Sequence, residues 1–231
     1  MIDSKKLTAW YDFQAPLYSF WRDQLDSPVV AEVAEVLRAQ SAEGRLLDAG
    51  CGTGLFSVGL ARRLSGWQIH GVDASRGMLR VAERKSKKLG LRNLTFSQDD
   101  VTRLPFRDGH FDAAVAAGLF PNLNDHRVAL RELHRTLRPG ASLLVVEFDR
   151  MSMTRGTRLM FRTMIFGYKA ISSIFPGFRF ANHWTIDTST IDPDSFRSVA
   201  REVRFQERAV RTKQAHLVFE FLKGEDRWID S

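Results

Sequence analysis

Cysteine is almost absent: Cys51 is the only one among 231 residues. That excludes a disulfide framework and any zinc cluster built on several thiolates. A lone thiol also fits a reducing compartment. Long apolar runs are missing too. No stretch of about 18 uncharged apolar residues occurs, so no segment reads as a membrane span. The opening residues, MIDSKKLTAWYDFQAP, carry a basic pair with no apolar core behind it, which does not read as a signal peptide. These absences lead to the expectation of a cytoplasmic protein. Internal repeats and low-complexity tracts are lacking as well. One segment lacks acids altogether: residues 150–186 hold no Asp or Glu, but five Arg, one Lys and four of the six Met.

What is present is a chain that is 44% hydrophobic, long enough for one large α/β domain or a domain with an insertion. Its net charge of +7 favours anions such as nucleic acid, acidic lipid headgroups or anionic small molecules, or else gives a merely basic surface. Residues 4–40 read as two helices. In the second, Val29, Val33, Val36 and Leu37 fall at helical spacing behind Ser27-Pro28. From 45 to 148, short apolar strands (RLLDAG, WQIHGVD, NLTFSQD, FDAAVAAG, ASLLVVEF) alternate with helical stretches at 55–65, 76–89 and 125–137. The last of these helices is expected to stop at Pro139-Gly140. That alternation argues for a doubly wound, mostly parallel sheet covered on both faces. After Pro193 come a helix, DSFRSVAREV, and two further strands, RFQERAV and AHLVFEFLK.

The segment LLDAGCGTG, residues 46–54, ends the first strand with three glycines and an acid. Three readings are open: a nucleotide-type ligand lying against bare backbone, a catalytic cysteine, or a tight turn. The spacing is G-x-G-x-G, not the G-x-G-x-x-G of the pyrophosphate fingerprint, which disfavours a nicotinamide dehydrogenase. Two more acids stand at matched places. Asp73 ends the second strand, 25 residues after Asp48, where a carboxylate can accept both ribose hydroxyls. Asp100 follows the third strand, where an acid can take an adenine amino hydrogen. Taken singly, each is also an ordinary helix cap or loop residue.

As a set, LLDAGCGTG, GVDAS with Met78, DDVTRLPF, FDAAVAAG and LRPGASLLVVEF resemble the class I S-adenosylmethionine-dependent methyltransferases. The resemblance covers about residues 44–148, and from Phe111 to Phe148 it is closest to the ubiquinone/menaquinone biosynthesis C-methyltransferases. It implies a seven-stranded Rossmann-like sheet whose last strand is antiparallel, with N-terminal helices and a helical insertion before the last helix. One methyltransferase domain would then span 1–231: a helical cap (1–43), the cofactor core (44–148), a substrate-side insertion (149–192) and the final helix and strands (193–231). By the same resemblance Asp48, Gly50, Gly52 and Gly54, with Ala49 and Cys51 between them, would hold the methionine part of the cofactor. Asp73 would hold the ribose, Ala74 and Met78 would line the adenine, Asp100 and Val101 would contact its edge, and Ala117 and Gly118 would face the sulfonium. Cys51 is then a small loop residue and not a nucleophile.

Departures from that family fall where the substrate would sit. Pro121 stands where quinone-methylating members carry Arg, Ser19 follows Tyr18 where they carry Asp, and EVRF stands where AGF is common. Methyl transfer from a sulfonium needs alignment more than acid–base chemistry, and a base only if the acceptor must lose a proton. Tyr11, Tyr18, His126 and His183 are the candidates for one; Tyr11 and Tyr18 also read as helix packing, and His183 as a hydrogen-bonded structural residue. In 150–186, Arg155, Arg158, Arg162 and Lys169 form one helical stripe beside a Met/Phe face. Such a helix fits an anionic membrane surface, a greasy substrate, or simply water. The expectation is methylation of a lipophilic or amphipathic small molecule, releasing S-adenosylhomocysteine. The alternatives are a phospholipid-headgroup N-methyltransferase and a non-catalytic S-adenosylmethionine binder. FPNLND is not the Asn-Pro-Pro-aromatic turn of base methylases, and no aromatic-basic strand platform occurs, which argues against nucleic acid. No metal is expected.

Overall fold

The computed structural model describes residues 7–9, 11, 12, 15, 27–148, 191–213 and 216–224. Tyr18, His183 and the segment 150–186 lie outside the described residues. Helix α1 (Ser27–Gln40) leads into β1 (Gly44–Ala49), α2 (Leu55–Ala61), β2 (Trp67–Asp73), α3 (Arg76–Lys88) and β3 (Leu94–Gln98). Then follow β4 (Phe111–Ala117), α4 (His126–Thr136), β5 (Leu137–Phe148), α5 (Pro193–Glu202), β6 (Phe205–Lys213) and β7 (His216–Lys223).

The strands form one seven-stranded sheet in the order β3-β2-β1-β4-β5-β7-β6, and β7 alone runs antiparallel, against β5 and β6. Successive side chains on a strand point to opposite faces, and β1 shows what that builds. Leu46 packs with Val29, Val33, Leu37, Phe56 and Leu60 under α1 and α2. Its neighbour Leu47 packs with Leu130, Leu133, Phe196, Phe219 and Phe221 under α4 and α5. Both leucines are fully buried, so the strand is apolar throughout because helices cover both faces.

The direction of winding reverses between β1 and β4: β2 and β3 lie to one side of β1, β4 and β5 to the other. A crevice opens at such a reversal, beyond the carboxyl ends of the strands. The helices start where the sequence marks them. Ser75 caps α3 by accepting from Met78 N, Asp125 caps α4 through Arg127 N, and Asp192 caps α5 through Ser195 N. Lys85, Lys87 and Lys88 fill the last turn of α3, where its dipole favours cations. Among the described residues no helix is long and apolar enough to cross a membrane.

Two local readings are corrected. Helix α4 ends at Thr136, and Pro139-Gly140 lies inside β5 rather than before it. Leu137 faces Phe111, then the register jumps so that Ser142 faces Ala113, and Gly140 absorbs the irregularity at φ 75°. Helix α2 stops at Ala61, short of residue 65.

Helices α1 and α2 approach closely over Gly59. A Cβ there would lie 2.6 Å from Val30 Cγ1. Gly59→Ala is therefore expected to lower stability by about 1 kcal/mol, because overpacking outweighs the gain in helix propensity. Denaturant unfolding in a double-mutant cycle with Val30→Ala should remove that penalty. Stabilisation by Gly59→Ala alone would show that the helices are not tightly apposed.

Candidate functional site

The glycine loop leaves β1 at the reversal point. Gly50, Gly52 and Gly54 all have left-handed φ values, of 72°, 53° and 81°. At Gly50 the space is already filled: a Cβ would meet Leu119 Cδ1 at 2.8 Å. At Gly52 nothing lies within 4 Å of where a Cβ would stand, so bare backbone faces open space.

Four of the loop's amides are consumed internally. Gly50 N and Cys51 N both donate to Val72 O at 2.9 Å, and Gly54 N donates to Cys51 O at 2.9 Å. Gly52 N donates to Asp73 Oδ2 at 2.8 Å. Lys85 Nζ ties the loop from α3 by donating to Thr53 O at 2.9 Å. A phosphate cradle needs amides aimed outward at the ligand; this loop aims four of them inward.

Carboxylates dominate what surrounds the loop. Asp73 accepts from Ser75 N at 2.8 Å as well as from Gly52 N. Burial raises its pKa, and the neighbouring charge of Asp12 adds to the rise. Asp48 is buried and accepts the hydroxyl of Ser57. Burial lifts its carboxyl from 3.8 to about 7, the Ser57 hydrogen bonds oppose the rise, and Asp73 adds to it. Burial and then these two acids push the Cys51 thiol well above its ordinary range, which suits a buried packing residue and not a nucleophile. Clustered acids with raised pKa values favour a cationic ligand, which would relieve their mutual repulsion.

Residues 46–140 match the methyltransferase-domain family. The demethylmenaquinone methyltransferase of Thermus thermophilus is 41% identical over 112 residues, which is 48% of this chain and 50% of that protein. The 2-phytyl-1,4-naphtoquinone methyltransferase of Nostoc punctiforme is 35% identical over 143 residues, 60% of this chain and 62% of that protein. The chain thus spans half to about three-fifths of the length of these relatives. The magnesium protoporphyrin IX methyltransferase of Synechocystis, solved with bound S-adenosylhomocysteine, shares the fold at a TM-score of 0.60 and 20% identity, over 86% of this chain and 83% of that one. Residues 46–140 thus form a methyltransferase domain, on the fold of the S-adenosylmethionine-dependent methyltransferases.

The cofactor of these methyltransferases carries an ammonium, a sulfonium and ribose hydroxyls, and no phosphate. The residues present fit it: inward amides, open backbone at Gly52, and the carboxylates of Asp48 and Asp73. Of the residues singled out in the sequence, the structure brings Asp48, Ala49, Gly50, Cys51, Gly52, Gly54, Asp73, Ala74, Met78, Ala117 and Gly118 to the carboxyl ends of β1, β2 and β4. Met78 is buried and packs with Ala15, Val81 and Tyr11. Asp100 is exposed and its Oδ1 accepts from Thr102 N at 2.8 Å and Thr102 Oγ1 at 2.7 Å, in a local turn. Val101 turns into the core beside Leu47 and Leu104.

Tyr11 is the one tyrosine candidate within the described residues, and its hydroxyl donates to Asn122 Oδ1 at 2.9 Å. His126 packs edge-on against Phe120 and Phe196, and burial lowers its pKa. Asp12, Ser75, Lys85 and Asn122 were not picked out from sequence. Only Ser75 carried a local signal, as a helix cap after Asp73.

A carboxyl whose pKa is higher in the fold than in the open chain binds extra protons on folding. Its stabilising contribution is complete below the unfolded value of 3.8 and is lost as pH rises through about 7. Asp48→Asn is neutral throughout. Urea unfolding at pH 5 and pH 8 should show it gaining about 2 kcal/mol on the wild type across that interval. Parallel pH profiles for the two proteins would refute the raised pKa of the buried Asp48.

Proposed function

We propose that this protein is an S-adenosylmethionine-dependent methyltransferase whose acceptor is a lipophilic or amphipathic small molecule. The observation that carries the first half is the inward-turned glycine loop between two carboxylates. It offers acceptors to a cationic, hydroxyl-bearing ligand and no amide cradle to a pyrophosphate. The second half is supported by relatives named for demethylmenaquinone and 2-phytyl-1,4-naphtoquinone. The Met- and Phe-rich segment 150–186 between core and final helix adds to that support. We assign residues 1–43 to a cap, 44–148 to the cofactor core, 149–192 to the substrate side and 193–231 to the closing helix and strands of one domain.

Bound cofactor supplies an activated methyl group. In this reading Asp73 accepts the ribose hydroxyls while staying fixed by Gly52 N and Ser75 N. Asp48, in its ionised form, would balance the ammonium. Tyr11 and Asn122 close the β4 side, so that the methyl and its acceptor meet in a site shielded from water. Tyr18 and His183 are the remaining candidates for handling an acceptor proton. A peripheral approach to anionic membrane suits the basic stripe of Arg155, Arg158, Arg162 and Lys169, and would place the protein where lipophilic acceptors reside.

Calorimetric titration with S-adenosylmethionine, S-adenosylhomocysteine and NAD tests the cofactor. The first two should bind and NAD should not. Asp73→Ala should weaken binding about tenfold or more through lost charged hydrogen bonds. Transfer of labelled methyl into a lipid extract, absent with water-soluble amines, would support the acceptor class. Cofactor binding with labelling confined to polar acceptors would overturn it.

A further inference from the structure

The N-terminal helical residues sit on the cofactor site. Asp12 Oδ1 accepts from Ser75 Oγ at 2.7 Å and from Gly77 N at 2.6 Å. Ser75 in turn caps α3 and donates its own amide to Asp73 Oδ1 at 2.8 Å. A continuous run of hydrogen bonds therefore links Asp12 to the ribose-binding acid through one serine. On the neighbouring residue, Tyr11 donates to Asn122 Oδ1, and Asn122 Nδ2 donates to Gly118 O at 2.7 Å. Ala15, buried, packs with Met78 and Val81 on α3.

These contacts reach two different strand ends. Ser75 and Gly77 follow β2, while Gly118 and Asn122 follow β4, and β1 lies between those strands. Residues that touch both must cross the carboxyl end of β1, where the glycine loop stands. The contact on the β2 side is tight: a Cβ on Gly77 would lie 2.6 Å from Asp12 Cα and 2.7 Å from Asp12 O. Backbone seats on backbone there, which only glycine permits. Asp12 also places its charge at the first turn of a 13-residue helix, where the dipole favours an anion.

We propose that Asp12 is a positioning residue of the cofactor site: it latches residues 11, 12 and 15 across the β1–β4 reversal, and a ligand on the glycine loop leaves only when that latch opens. The inference rests on the cofactor reading above. It assigns the N-terminal residues a role in holding the ligand, separate from any contact with the reacting atoms. The amide of Asp12→Asn keeps an acceptor in place, Asp12→Ala removes it, and Gly77→Ala pushes the strap off from the other side while leaving Asp12 intact.

The rate of S-adenosylhomocysteine release, followed by stopped-flow displacement, reads the latch. Amide exchange of Gly77 N in the ligand-free protein gives a second readout. Asp12→Ala and Gly77→Ala should each speed release about tenfold, as expected for losing a hydrogen bond to a charged group, with Asp12→Asn between them and wild type. In Asp12→Ala the Gly77 amide should exchange faster, while circular dichroism and the thermal midpoint stay near wild type. Release within about twofold of wild type in both Asp12→Ala and Gly77→Ala overturns the latch, as does an unchanged Gly77 amide. Wild-type protein that takes up no S-adenosylhomocysteine sinks the cofactor reading, and the latch with it.

Discussion

The hydrogen bonds that Asp73 accepts from Gly52 N and Ser75 N fix the site. Each comes at 2.8 Å from a different segment, the loop after β1 and the start of α3. The carboxylate sits at the end of β2, whose parallel pairing with β1 sets the distance between those segments. If this carboxylate were absent, the Gly52 amide would lose its acceptor and the left-handed loop would lose the contact that holds it open. The sheet positions Asp73, Asp73 positions the loop, and the loop leaves bare backbone beside open space.

This arrangement also resolves an apparent contradiction of charge. The protein carries a net +7, yet the surroundings of its glycine loop gather Asp12, Asp48 and Asp73. Burial first, then neighbouring acids, raise the pKa of Asp48 and Asp73, so these carboxyls tend to hold protons that a cationic ligand would displace. Among the described residues Lys85 reaches the loop, and several other bases are paired away from it. Arg208 and Arg211 on β6 flank the buried Glu220, and Arg135 is held by Glu132 and Asp108. Overall charge therefore says little about the ligand; the local balance around the loop does.

The parts of the fold that depend on neighbours in sequence were readable there. The strands β1 to β4 showed as short apolar runs because both faces of the sheet are covered. The helix starts near 76, 125 and 193 were legible in the same way, while their caps Ser75, Asp125 and Asp192 emerged only in the structure. What depends on distant partners was not readable. Asp12 bonds residues 63 and 65 positions away, and nothing around it in sequence marks that role. Pro139-Gly140 has the local chemistry of a helix stop, but β4 recruits it into a bulged strand. Arg204 stands where a glycine is common and adopts φ 67° regardless, between the buried Val203 and Phe205. Packing on either side outweighs its backbone preference. In the site, the glycines and Asp73 showed in the motif, whereas the inward direction of the loop's amides required the structure.

The most direct test of the central claim is a crystal structure of the protein soaked with S-adenosylhomocysteine. The account predicts ligand density along Gly50–Gly54, with both ribose hydroxyls on the Asp73 carboxylate and the amino group towards Asp48. Ligand bound at another face of the sheet, or ribose hydroxyls held by groups other than Asp73, would contradict it.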